Sequence, residues 1–485
     1  MKSPNKKFKT VEIHDPNARN KPSEDIIWIL MFVISLIHGF MCISQGILSS
    51  CVTQIKHELF LSDEEFSMFG TINGFGSLIG SLIFTLIIER ISHKYLISSM
   101  LIINCLSHFP FFFKMKYSIL LFSRFLSGFA SVFCYIYFPM WVDEFGIGGW
   151  LNFMQTTVQV SNTIGHIFGY FIYYLLGSKQ WKYGFLTEIF SVCCLVLILV
   201  IIPQIYYDNY YDEDDYDVVN YSEINTEEET KLKNESTNNN NINDNGINDI
   251  NNNENKISKE KHTIMKDIIC NLPYILINLY RANRLFIFVA IDFWFSDYIQ
   301  SSLNINEPSQ IFFSYSLTIV LSPLLGLLLG GLISNKIGGP KGKHSFKAMF
   351  YLQIISVFFG FLSNFQKNIN YFTLFMSFYM LFNTAAGLIS ISASYAVIPK
   401  NLIGYATGIY SISVNLLGFL PAPYAYAFLK KFFESGNYII LFLMAYGIFG
   451  AFNLIVADIY MKKEKIYIYK EEKISNNINI NINNN

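Results

Sequence analysis

Two charged residues sit inside strongly apolar stretches, Arg124 in YSILLFSRFLSGFAS and Asp292 in LFIFVAIDFWFSDY, and they define the chemistry the rest of the chain must position. A carboxyl group in an apolar setting resists ionisation, whereas a nearby cation favours it. Alternating between two such settings would let Asp292 load and release a proton, or hold a cationic group of a solute. Arg124 then serves as its counter-charge or as an anchor for a carboxylate. Polar residues accompany both at helical spacing, which places them on one helix face. One stripe is His38, Cys42, Gln45 and Ser49, and a second is Arg124, Gly128, Ser131 and Tyr135. Others are Gln155, Gln159, Asn162 and His166; Asp292, Ser296 and Gln300; and Asn383, Gly387, Ser390 and Ser394. The residues singled out for substrate or proton handling are Arg124, Asp292, His38, Gln45, Gln159, Asn162, His166 and Asn383. The competing role for several of the serines and asparagines is hydrogen bonding between helices. Glu188 and Asp297 lie nearer stretch ends and are expected to be hydrated vestibule charges.

The elements that carry these residues follow from composition. The 485 residues are 52% hydrophobic and only 15% charged, far too apolar for a soluble chain of this length. Thirty-five basic residues against 36 acidic ones leave no global field that would attract nucleic acid. A helix needs about 20 apolar residues to cross a bilayer, and the runs that reach this length form two groups of six. The first is 26–50, 66–88, 95–113, 117–141, 150–177 and 183–203. The second is 284–302, 309–334, 345–364, 371–397, 403–429 and 438–460. The predicted class is therefore an all-α polytopic membrane protein, with 12 transmembrane helices in two pseudo-symmetric six-helix bundles.

The expected organisation is an N-terminal tail (1–25), a first bundle (26–206), a loop (207–262), a second bundle (263–461) and a C-terminal tail (462–485). The loop opens with YDNYYDEDDYD and passes into Asn-rich sequence that cannot bury enough apolar surface to fold. Lys and Arg cluster near one set of span ends, which by the positive-inside rule places both termini and the loop in the cytoplasm. Plasma membrane and organelle membrane are not distinguished. The seven cysteines show no CxxC and no metal-ligand spacing, so neither metal nor cofactor is expected. Glycines recur at four-residue spacing, Gly70 with Gly74, Gly76 with Gly80, Gly165 with Gly169 and Gly326 with Gly330, as closely packed membrane helices require.

Tightly spaced glycines and cations interrupt the apolar sequence at GGLISNKIGGPKGK, Gly330 to Lys343, and a weaker copy is TLIIERISHK, Thr85 to Lys94. Aligning the two sets Gly331 on Thr85, Asn335 on Glu89, Lys336 on Arg90 and Gly338 on Ser92. With the six-plus-six span count, these turns resemble the pattern GxxxD[RK]xGxx[RK] of the major facilitator superfamily. Gly331, Lys336, Gly338 and Lys341 match it in the second half, while Asn335 replaces the acid. Glu89 and Arg90 match in the first half, with Lys94 one place early and Thr85 and Ser92 in place of glycines. A second family pattern, RxxxGxA in the fourth span, is present as Arg124, Gly128 and Ala130; a third, around Gly165 and Gly169, is degenerate. The resemblance implies that spans one, four, seven and ten line a central cavity, where four of the polar stripes fall.

The turns are expected to form an inner gate, in which Arg90 and Lys94 latch onto Asp143 and Glu144 of WVDEFG. Pro421 and Pro423 in the eleventh span are expected to break that helix. An enzyme is not expected: GGPKGKHS lacks the first glycine and the Ser/Thr of a phosphate loop, and HExxH and GxSxG are absent. The expected function is transport of a small polar solute, such as a sugar, amino acid or organic ion, by a monomer rocking about a central site. It is either proton-coupled or driven by the solute's own gradient. The alternative is a transporter-shaped sensor that binds without translocating. The expected partners are the solute, protons and the lipid bilayer.

Overall fold

The computed structural model describes residues 23–87, 91–147, 150–177, 180–207, 268, 270–337, 344–398, 403–433 and 436–463. The expected tails and the acidic, Asn-rich loop, apart from their edges, lie outside these residues, as do Glu89, Arg90, Gly338 and Lys341. The side chains of Thr85, Asp143, Glu144, Gln155 and Gln159 are likewise outside the description, so the expected inner latch falls beyond it. Among the described residues every regular element is a helix.

Eleven helices among the described residues are long and apolar enough to cross a membrane. The helix Leu151–Leu176, 26 residues long, takes the fifth place in the order and completes the twelve. It is less apolar than the length-and-composition measure requires because Gln155, Thr156, Thr157, Gln159, Ser161, Asn162, Thr163 and His166 interrupt it. In chain order the spans are Glu24–Ser50, Asp63–Ile87, His93–Phe112, Tyr117–Phe145, Leu151–Leu176 and Trp181–Ile201. The second group is Leu272–Ser302, Pro308–Lys336, Ser345–Asn364, Ile369–Ala396, Ile403 to Phe432 and Gly436–Lys463. Within each group the partners repeat: span 2 packs on 4 as 8 does on 10, 3 on 6 as 9 on 12, and 1 on 5 and 6 as 7 does on 11 and 12. That repeated pattern is the pseudo-symmetry of the two halves.

Glycines make the closest approaches. Spans 1 and 5 meet at two glycine pairs: a Cβ on Gly165 would strike the Gly39 carbonyl oxygen, and one on Gly169 would lie 2.5 Å from the Ile43 carbonyl oxygen. Gly76 and Gly80 of span 2 lie against the backbone of Phe125 and Phe129 in span 4, and Gly326 and Gly330 of span 8 against Leu381 and Ala385 in span 10. Gly331 differs, since its nearest neighbour is Leu388 at 3.9 Å. Its expected part in the turn is not a packing demand.

Several spans expected as continuous are interrupted. Span 1 breaks between Phe40 and Ile43, where Met41 and Cys42 leave the helix and free backbone N–H groups of the following segment. Span 8 passes through a wide π-helical stretch, Ser316–Leu321, and span 11 through another, Asn415–Phe419. Both precede prolines, Pro323 and Pro421, whose rings cannot donate to the preceding turn. The local repairs are visible: Ser322 Oγ donates to the Leu317 carbonyl at 2.7 Å, and Leu420 N reaches the Asn415 carbonyl at 3.0 Å. The prediction that span 11 is broken at its prolines matches this geometry.

Span 7 is longer than expected. It begins at Leu272, not 284, with Asn271 capping through its side chain to Tyr274 N at 3.1 Å and Pro273 within the first turn. The apolar run looked shorter because Arg281, Asn283 and Arg284 interrupt it.

The halves touch mainly on the face away from the termini. Span 2 packs on the second half of span 11, the second segment of span 1 on span 7, and span 5 on the first part of span 8. Gly70 fits against Pro423 and Phe293, and Gly74 against Leu420, so small residues again set the approach. Phe66 of span 2 meets Phe293 at 5.4 Å and Trp294 at 5.7 Å. No comparably extensive helix contact joins the halves on the face of the termini among the described residues. Among the described residues the molecule is closed on one face and open on the other.

Candidate functional site

Asp292 lies twenty residues into span 7, at the meeting point of both halves, and is buried. Tyr315 of span 8 donates its hydroxyl to Asp292 Oδ1 at 2.6 Å. His166 Nδ1 of span 5 approaches Oδ2 at 3.5 Å from the opposite half. Tyr170, one turn beyond His166, stacks on Tyr315 with ring centroids 3.6 Å apart. One turn further along span 7 Ser296 donates to the Ser49 carbonyl, and Thr53 Oγ1 donates to Gln300 at 2.6 Å. The stripe on span 7 thus runs along the seam between the halves, and the stripes of spans 1 and 5 meet it there.

Beyond Asp292, toward the closed face, stands a quartet of charges. Lys430 Nζ donates to Asp297 Oδ2 at 2.7 Å and lies 3.4 Å from Asp63. Lys56 pairs with Asp63 and lies 3.5 Å from Asp297. Lys431 pairs with Glu64 across the same seam. Asp297 is only 4% exposed, so the expectation of a hydrated vestibule charge is corrected: its two lysine partners replace water. Sequence spacing gave no hint of this quartet, because its members come from spans 2, 7 and 11 and from the short helix Val52–Leu59. Trp294 lies beneath it, with Lys56 and Lys430 5.9 and 5.6 Å from the ring centre and its Nε1 donating to the Pro423 carbonyl at 3.0 Å.

Arg124 faces elsewhere. It is fully buried inside the first half, where its Nε donates to the Phe69 carbonyl at 3.3 Å and both terminal nitrogens lack partners. Arg124 makes no ion pair among the described residues, so the expected pairing with Asp292 is not formed there. Glu188, expected at a hydrated vestibule, is instead fully buried. The reason is the break in span 1: the freed Ser44 N–H donates to Glu188 Oε2 at 2.5 Å and Ser44 Oγ to Oε1 at 3.4 Å. A carboxylate at the start of the second segment complements the positive end of its dipole. His108 Nε2 stands 3.8 Å from the same carboxylate.

The other candidates divide. Gln45 Nε2 donates to Asn73 at 2.9 Å, and Asn73 in turn to the Arg124 carbonyl at 3.2 Å, a chain tying spans 1, 2 and 4. His38 is buried with Nδ1 2.7 Å from the Val158 carbonyl, and its ring packs edge-on to Tyr135. Cys42 Sγ lies 3.5 Å from Tyr135 Oη, so the stripes of spans 1 and 4 do face each other. Asn162 is half-buried, with Oδ1 unpartnered. Asn383 is fully buried, with both amide atoms unpartnered. Of the turn residues, Asn335 and Lys336 are exposed at the end of span 8. Lys94 caps the end of span 6, donating to the carbonyls of Val200 at 3.0 Å and Ile202 at 2.7 Å. Arg281 and Arg284 were missed because the sequence placed the first before span 7 and the second at its very first residue. Arg281 lies 3.4 Å over the Tyr410 ring and reaches Ser394 Oγ at 3.4 Å.

Two repeated six-helix halves, closed together on one face around a buried charged seam, define a membrane transporter. The chain belongs to the Major Facilitator Superfamily, whose family model matches residues 34–423. Among proteins of curated function, none matches the chain by sequence. Solved structures are similar in fold. A bacterial homolog of the human lysosomal transporter Spinster, inward-facing and unoccupied, superposes with a TM-score of 0.71 at 10% identity, covering 91% of this chain and 99% of that one. A point mutant of the nucleoside transporter NupG gives 0.62 at 11% identity over 88% and 99%. A D-xylose-proton symporter gives 0.62 at 12% identity over 89% and 97%.

Proposed function

We propose that this transporter carries a small polar solute coupled to protons, with Asp292 as the group that loads and releases the proton. The observation that supports this reading is the bridging of Asp292 between halves by Tyr315 and His166. While the closed face is shut, Asp292 is held by a hydroxyl and an imidazole and kept from water. Separation of the halves on that face removes His166 and admits water, so closure and protonation act on the same carboxylate. The two groups of six spans, 26–206 and 263–461, are the units that rock. The termini lie in the cytoplasm, which makes the open face inward, and the chain acts as a monomer and not as an enzyme.

Reconstituted protein would be tested with labelled sugars, nucleosides, amino acids and organic acids, with and without a pH gradient. Asp292→Asn is expected to lose uptake driven by the gradient while keeping exchange of solute for solute. Full, pH-sensitive accumulation by Asp292→Asn would overturn the assignment. Saturable binding without flux of any solute would identify a sensor instead.

A further inference from the structure

The second half contains an arginine with no acid to match it. Arg284 lies eight residues before Asp292 on span 7, roughly 12 Å nearer the open face at ~1.5 Å per residue. Its guanidinium rests on span 10 over Gly387, where a Cβ would overlap Cζ and both terminal nitrogens. One of those nitrogens reaches the Asn383 carbonyl at 3.4 Å, and Nε has no partner. Arg284 makes no ion pair among the described residues.

The surroundings repeat the imbalance. Tyr280 lies one turn before Arg284 on span 7 and Tyr379 one turn before Asn383 on span 10, and Tyr280 donates to Gln353 Oε1 at 3.0 Å, which turns that amide so that Nε2 is left over. Tyr379 Oη and both side-chain atoms of Asn383 are also unpartnered. Tyr280, Gln353, Tyr379 and Asn383 are all 0% exposed, whereas Arg284 is half-buried. The unused donors around the guanidinium are Arg284 Nε, Gln353 Nε2 and Asn383 Nδ2, with Tyr379 Oη able to donate as well. Buried donors left unmatched are destabilising, and a planar guanidinium is suited to oxygen pairs on carboxylate or phosphate.

We propose that Arg284, with Asn383, Gln353 and Tyr379, binds an oxyanion of the carried solute, a carboxylate or a phosphate. The inference rests on the reading of the chain as a solute carrier and names the class of solute. It also gives Gly387 a purpose, since any side chain there would displace the guanidinium. A neutral solute would leave the cation and its donors unanswered.

Purified protein in nanodiscs would be melted at matched ionic strength in chloride, inorganic phosphate, acetate or succinate, with a neutral pentose as a further control. Phosphate or one of the carboxylates is expected to raise the melting temperature saturably, and which one does so separates the two sources. Arg284→Gln should abolish the rise, Asn383→Ala should weaken it, and Arg284→Lys should shift its midpoint at least about tenfold because a point charge replaces the fork. If Arg284→Gln fails to fold, the other two variants carry the test. Equal melting in every salt, or a rise retained in Arg284→Gln, overturns the proposal and leaves the cluster as a hydrated one. Flux separates the two readings: transport of a neutral solute without anion stabilisation keeps the carrier and removes the anion site, whereas Arg284-dependent stabilisation without flux of any anion keeps the site and removes the carrier.

Discussion

Neutralising Asp297 should shift the balance between the closed and open states of the face away from the termini. Lys56 and Asp63 come from one half and Asp297 and Lys430 from the other, so each half is neutral at this point after separation. Within the quartet, the cross contacts, Lys56 with Asp297 at 3.5 Å and Lys430 with Asp63 at 3.4 Å, are the ones that depend on closure. Asp297→Asn removes one of them and leaves two lysines facing a single acid when the face is shut. A unit-charge contact near 4 Å is worth about 4 kcal/mol at an effective dielectric of ~20. The side chains of Lys56 and Lys430 are 18% and 24% exposed, so water screens part of this and we take about half, ~2 kcal/mol. That energy corresponds to roughly a 30-fold change in the closed-to-open ratio. Spin labels at Lys116→Cys and Lys367→Cys, beyond spans 3 and 9, would report it by pulsed distance measurement, with the exposed Cys193, Cys194 and Cys270 replaced by serine. The longer-distance population should grow with Asp297→Asn and return to the original level with Asp297→Glu. An unchanged distribution, or a shift toward the shorter distance, would refute the electrostatic reasoning.

Gly165→Ala should destabilise the protein by about 1–3 kcal/mol, because its methyl group meets the Gly39 carbonyl, whereas Gly331→Ala should be near neutral with its nearest neighbour 3.9 Å away; melting temperatures of the two variants check the contrast. Glu188→Leu should cost about 1–3 kcal/mol by leaving the buried Ser44 N–H without an acceptor. Glu188→Gln restores the acceptor and should recover part of that loss, and equal melting of the two variants would contradict the capping role.

The span count, the duplication and the polar stripes were legible because they depend on local period and composition, which a membrane enforces strongly. The position of Asp292 within a span was legible for the same reason, since the sequence around it, VAIDFWF, is otherwise apolar. Its partners were not, since His166 and Tyr315 lie on spans 5 and 8 and meet only through the packing of the halves. Glu188 was misread because proximity to a span end implies water, whereas the break at Met41 and Cys42 brings a free N–H to it inside the bundle. Arg281 and Arg284 were hidden by the hydropathy criterion itself, which ends a span at its first charges although the helix continues.

The wide turns in spans 8 and 11 have a mechanical consequence. With span 7 these form the second half's side of the seam, and the first-half helices that match spans 8 and 11, Asp63–Ile87 and Leu151–Leu176, run without interruption. A helix with a loosened hydrogen-bond ladder bends more readily than one with an intact ladder. Bending is therefore placed differently in the two halves: at the wide turns of spans 8 and 11 in the second, and at the break between Phe40 and Ile43 of span 1 in the first.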